Sequence, residues 1–184
     1  MLNRINLFLI AFFISSVMSV NASVIDKIAA VKSDEGTFVQ MKTLSDVGVT
    51  LASSGEFRFK KNEYFEWKTI KPIESIFTAT PKEYISTIKG GKTSRHPLSK
   101  IKMSNGMKAL INGDVSVLNE VFKLKIADDK IIAHPKTREL SEFVDSFEIT
   151  LDTDSKPKRF IMTFTNGDVL DIAITRKTAK AVAK

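Results

Sequence analysis

Apolar positions along this chain follow two periods, and the switches between them mark its elements. Between Gly36 and Thr80 the period is two: Phe57 and Phe59 fall on one side of a strand, and Phe65 and Trp67 do the same in the next run. The residues between these runs, Lys60, Lys61, Asn62 and Glu63, make a polar connection of hairpin length. Folding back there sets four aromatic rings side by side on one face of an antiparallel pair. That face needs a cover, supplied either by the protein's own helices or in part by a bound apolar guest.

Read in order, Val24 to Lys32 predicts a short amphipathic helix capped by Ser23, with Ser33, Asp34, Glu35 and Gly36 breaking it. Thr37 to Lys42 predicts a strand, with Phe38 and Gln40 on one side and Val39 and Met41 on the other. After a loose turn at Ser45 to Gly48, strands are predicted over 49–60, with a bulge at Ser53-Ser54-Gly55, and over 64–69, 74–80 and 83–88, forming a five-strand meander. Gly90 to Lys102 is polar and basic and predicts a surface loop. From Ser104 to Phe122 the apolar spacing turns helical, with Asn112-Gly113 between two short helices. Strands return at 122–127 and 130–133, and a helical turn is predicted over 138–144. Three last strands follow at 146–151, 159–165 and 169–176. Asn166-Gly167 is the strongest hairpin signal, because both positions tolerate positive φ.

One helix, a run of strands, helices and a second run of strands predict an α+β fold, a strongly curved antiparallel sheet with short helices segregated to one side. At 184 residues the chain is long enough for one domain with a real core.

The N-terminus changes the picture of the rest. One charge on Arg4, the apolar run Leu7 to Val20 and the small residues before Ser23 have the three-part pattern of a cleaved secretory signal over residues 1–22. A membrane span needs roughly 20 apolar residues, more than this run has. The mature domain is then expected over 23–176, followed by a flexible basic tail at 177–184. With no cysteine in the chain there is no lipid attachment at Ser23 and no disulfide, so stability rests on core packing.

The formal charge of +7 falls to +6 without Arg4 (7 − 1) and favours acidic partners. Export argues against nucleic acid, and the lysines are scattered without a tight cluster. Catalytic patterns are thin. The two histidines, His96 and His134, each precede a proline, and neither belongs to an HExxH spacing. There is no GxSxG elbow, Lys89 to Thr93 only imitates the end of a phosphate-binding loop, and Asp152-x-Asp154 continues with Lys156-Pro157 where a calcium loop needs oxygen ligands and glycine. Neither an enzyme nor a metal or cofactor site is expected.

FVQ at 38–40, SSGEFRFKK at 53–61, YFEW at 64–67 and KPIESIF at 71–77 stand in an order and spacing that resembles the outer-membrane lipoprotein carrier family, the LolA-like periplasmic carriers. The resemblance is firm over about fifty residues and looser over the rest of the mature chain. It implies an incomplete β-barrel of the LolA/LolB type, apolar inside, with short helices as a lid. It further implies a periplasmic, monomeric, non-enzymatic carrier that shields the acyl chains of a lipoprotein or other lipidic cargo between an inner-membrane transporter and an outer-membrane acceptor. By the same resemblance Phe38, Phe57, Phe59, Phe65, Trp67, Ile76, Met107 and Leu110 line the cavity, and Lys61, Ile25 and Ile28 make lid contacts. At Lys61 many family members carry arginine; lysine keeps the charge and loses the planar fork of donors. The alternative is a sensor or regulator that uses the same half-barrel to bind a partner protein or a lipid signal. On the carrier reading, Phe59→Glu and Trp67→Glu are expected to abolish lipid transfer with the fold retained.

Overall fold

A computed structural model describes residues 30–98, 120–127 and 129–176. Among them, eleven strands form one antiparallel sheet: β1 (Ser33–Leu44), β2 (Val49–Lys60), β3 (Tyr64–Lys71), β4 (Ser75–Ala79), β5 (Glu83–Ile88), β6 (Ser94–Pro97), β7 (Phe122–Ala127), β8 (Lys130–Pro135), β9 (Val144–Leu151), β10 (Pro157–Phe164) and β11 (Val169–Arg176). A single short helix, α1 (Arg138–Ser141), is described between β8 and β9. The strand order is β6-β5-β4-β3-β2-β1-β11-β10-β9-β8-β7, so two meanders meet where β1 pairs with β11, and the sheet stays open with β6 and β7 as its edges. This open antiparallel sheet is the one expected of the alternating pattern, and the incomplete barrel that the resemblance implied. Most of the stretch 104–122, where helices are expected, and most of the one over 24–32 lie outside the described residues; Phe122 itself opens β7.

The alternation decides which face is inside. Phe38 and Gln40 are buried while Val39 and Met41 are 54% and 41% exposed, so β1 turns its even positions inward. Pairing carries that parity across the sheet: Phe38 lies opposite Gly55 and Ile174, Gln40 opposite Ser53 and Ile172, and Phe57 opposite Trp67, which in turn lies opposite Phe77. The first meander lines the inner face mainly with rings. In the second, Ile131, Ile149, Phe160, Met162, Leu170 and Ile172 supply a mostly aliphatic continuation.

Four expectations need correction. Ser33 to Gly36 does not break a helix but opens β1, because both Asp34 carboxylate oxygens accept from the Arg176 Nε–H, at 2.9 and 3.1 Å, which ties the polar start of β1 to the end of β11. Ser94 to Pro97 is not loop but the edge strand β6, held by pairing with β5, by Arg95 Nη1 to Glu83 at 2.7 Å, and by the His96 ring stacked on Tyr84. The irregularity near Gly55 is real, but the extra residue is Ile70 on β3, since Ser54 pairs with Lys71 and Gly55 with Thr69. Finally, the Asn166-Gly167 hairpin uses positive φ at Gly167 alone (83°), with Gly167 N donating to Phe164 O. That is a three-residue loop ending in a left-handed glycine rather than a two-residue turn.

This last loop is tied to the β1–β2 hairpin. Asp168, 5% exposed, accepts from the Ser45 backbone N–H at 3.0 Å and lies 3.9 Å from Lys42 Nζ, while Ser45 Oγ donates to Asn166 O at 2.6 Å. Truncating the buried carboxylate leaves the Ser45 N–H without its acceptor and the Lys42 ammonium without its counter-charge. Asp168→Ala is expected to cost about 2 kcal/mol, lowering the melting temperature by roughly 5 °C with no change in far-UV circular dichroism. A melting temperature equal to wild type would show that the link contributes nothing.

Candidate functional site

The inner face of β1 to β5 is rich in aromatic rings. Phe38 and Trp67 stack with centroids 3.7 Å apart and planes 19° from parallel, although β2 lies between their strands. The contact is possible because the intervening residue is Gly55. A Cβ there would stand 2.8 Å from Phe38 Cζ and 1.9 Å from the Lys68 carbonyl oxygen, so only glycine lets a ring from β1 reach over β2 to a ring on β3. Phe65 follows 6.1 Å from Trp67; Phe77, opposite Trp67 in the strand register, begins a second group with Tyr84 and His96 on β5 and β6 at 5.8 and 4.9 Å. Offset and tilted pairs of this kind add about 0.5–1.5 kcal/mol each beyond area burial.

Of the residues expected to line a cavity, Phe38, Phe57, Phe59, Phe65 and Trp67 are brought together on this face. The four phenylalanines are 1–3% exposed, while Trp67 is only partly buried against them. Ile76 does not join them: it pairs with Lys68 and Thr87 on the opposite face, and its neighbour Phe77, opposite Trp67, takes the inward position. Met107, Leu110, Ile25 and Ile28 lie outside the described residues. Lys61 is half-buried in the β2–β3 turn, where its N–H donates to Lys32 O at 2.8 Å. Phe77 and Tyr84 were missed, although both sit at alternating positions within runs read as strands.

Polar groups on this face are few and ordered along β1. Beyond Phe38 comes Gln40, 7% exposed, whose Nε2 donates to Ser53 Oγ at 3.0 Å while its Oε1 is buried with no hydrogen-bond partner. Beyond Gln40, on the same parity, comes Lys42, beside Asp168 and with its ammonium 5.6 Å above the Phe164 ring. The inner face therefore grades from rings, through an amide, to a cation.

The same end of the sheet exposes an apolar rim. Val47 and Val49 at the β1–β2 hairpin, Leu51 on β2, Ile70 at the end of β3, Ile73 in the β3–β4 connection and Ile88 at the end of β5 are each 45–65% exposed. Nearby, Lys89 Nζ bonds Glu74 at 3.0 Å; that hydrogen bond, then the ammonium charge, holds the Glu74 carboxyl below its usual range. Among the described residues no group of three or more His, Asp or Glu side chains is placed to hold a metal ion. No described helix is long and apolar enough to cross a membrane.

No protein-family model and no curated protein matches the chain. Solved structures with a similar fold include a LolA superfamily protein from Nitrosomonas europaea, at 11% identity and TM-score 0.45, covering 91% of this chain and 99% of that one. A putative outer membrane lipoprotein-sorting protein domain from Vibrio parahaemolyticus is similar at 8% identity and TM-score 0.41, covering 83% and 87%. The MucA/MucB complex of Pseudomonas aeruginosa is similar at 15% identity and TM-score 0.42, covering 88% of this chain and 58% of that chain. These are distant likenesses of fold.

Proposed function

We propose that the protein is a non-enzymatic periplasmic carrier whose half-barrel shields the acyl chains of a lipoprotein or another lipidic cargo on its way from the inner to the outer membrane. The observation that carries this reading is the ring-lined inner face of an open sheet. An acyl chain in water is penalised by about 0.8 kcal/mol per CH₂, and a carrier must offer apolar lining of comparable extent. Two groups of packed rings on adjoining strands, Phe38 with Trp67 and Phe65, and Phe77 with Tyr84, supply it. Rings also suit a site that must release its cargo, since flat faces contact a chain without interdigitating with it. The exposed rim at the Lys42 end of the same sheet favours entry there, from an apolar donor to an apolar interior.

Trp67 is the single tryptophan of the chain and stands on this face, so its emission reports what occupies the interior. Fatty acid brominated along the chain is expected to quench it saturably, because bromine quenches at contact distance, whereas the unbrominated acid is expected not to. Lipid extraction and mass spectrometry of the purified protein are expected to yield stoichiometric acylated species. An unquenched Trp67 together with a lipid-free protein that instead retains a polypeptide partner would replace the carrier by a protein-binding module.

A further inference from the structure

The Gln40 carboxamide is the exception on the inner face. It lies at the seam between the aromatic and aliphatic halves of the sheet, opposite Ser53 on β2 and Ile172 on β11, with Phe38 before it and Lys42 after it on the same parity. Nε2 is satisfied by Ser53 Oγ at 3.0 Å; Oε1 is enclosed with no donor. Buried polar atoms are nearly always paired, and each that is not costs the desolvation of that atom. Gln40 is the one residue among those described whose buried side-chain oxygen or nitrogen lacks a partner. An apolar side chain of similar volume would fill the position without that cost, so the amide points to something that arrives with a donor.

We propose that Gln40 Oε1 is a hydrogen-bonding subsite of the interior that takes an uncharged donor of the cargo, an amide N–H or a hydroxyl at the junction between acyl chain and headgroup. This deepens the carrier reading and rests on it. The order along β1 sets the pose: the acyl chain lies against the rings from Phe38 onward, its donor-bearing linkage meets Gln40, and a headgroup passes Lys42 toward the exposed rim. Two strand positions separate Phe38 from Gln40 and two more separate Gln40 from Lys42, about 7 Å per step, which matches a linkage placed between chain and headgroup. An ester-linked chain, with acceptors only, leaves Oε1 as it is; an amide-linked or hydroxylated one satisfies it.

The test compares two ligands of equal chain length, hexadecanamide and methyl hexadecanoate, by displacement of the brominated acid from Trp67 in the full mature protein. The ratio of their affinities is measured in wild type and in Gln40→Met, which keeps the volume and removes the acceptor. Hexadecanamide is expected to gain about tenfold over the ester in wild type relative to Gln40→Met, the size of one good buried hydrogen bond, with the ester bound equally by both proteins. A ratio unchanged by the substitution overturns the subsite and leaves the carrier standing, whereas failure of both ligands to displace the probe from wild type removes the carrier and the subsite together. Without ligand, Gln40→Met is expected to melt no lower than wild type, because it removes an unsatisfied buried group. A clearly lower melting point would show that the amide holds β1 to β2 through Ser53 and would overturn the proposal.

Discussion

Gly55→Ala is expected to lower the melting temperature by about 10 °C. The added Cβ would meet the Lys68 carbonyl oxygen at 1.9 Å and Phe38 Cζ at 2.8 Å. A side-chain tip could rotate away, but a ladder carbonyl cannot, so β2 and β3 must separate locally at the Ile70 bulge. Overpacking in a core costs about 1–3 kcal/mol, and a backbone clash belongs at the upper end or beyond; about 3 kcal/mol corresponds to roughly 10 °C in a domain of this size. The change also pushes Phe38 off Trp67, so the near-ultraviolet circular dichroism of the indole is expected to weaken even below the transition. Ser54→Ala, one residue away on the outer parity, is the control and is expected to melt within a degree or two of wild type. If Gly55→Ala melts with the control, the close crossing of rings over β2 is not what the fold depends on.

Gly55 also marks how far the sequence could be read. The Ser-Ser-Gly run signalled an irregularity, and one is there. Its purpose was hidden, because the partner ring Trp67 lies on another strand and register is not written in a strand's own residues. The same gap misplaced Ile76. Alternation fixes that Ile76 and Phe77 face opposite ways, but only the pairing of Phe77 with Trp67 says which of them faces in. Strands bounded by glycine, proline or asparagine and carrying a clear period of two, such as 49–60, 83–88 and 169–176, were legible nearly to the residue. Ser94 to Pro97 was not, because every residue of this edge strand is exposed and none is forced inward. Ser33 to Gly36 failed similarly, its extension being held by Arg176, 142 positions beyond Asp34.

Gln40 shows a different limit. The alternation grouped Phe38 with Gln40 and Val39 with Met41, and hydrophobicity alone favours burying the second pair. The structure buries the first. The ring stack decides the matter, since turning Phe38 outward would remove it from Trp67. The amide is carried inward with the phenylalanine, and its placement among apolar neighbours follows from a contact made by another residue.

Trp67→Glu is expected to abolish acyl-chain binding, by about 100-fold or more, while the protein still melts cooperatively. The indole is only partly buried, so a carboxylate at this position has a path to water and the fold survives it. A bound chain has no such tolerance. It would lie against a charge where it had an aromatic face, and would lose both the indole contact and the flat surface that Phe38 and Trp67 form together. Binding is measured here with a dansyl-labelled fatty acid, because the substitution removes the chain's own fluorophore. A 100-fold loss corresponds to about 2.7 kcal/mol, close to the cost of withdrawing one large apolar side chain from contact. Phe59→Glu, expected from sequence to behave alike, is corrected by its burial. At 3% exposure its carboxylate would be enclosed among rings without a partner, and that variant is expected to lose cooperative unfolding altogether. The pair of variants therefore separates two roles on one face: Phe59 holds the sheet's interior together, and Trp67 meets the cargo. Should Trp67→Glu bind the dansyl probe as tightly as wild type, the indole is not at the acyl site, and the ring stack is core packing from end to end.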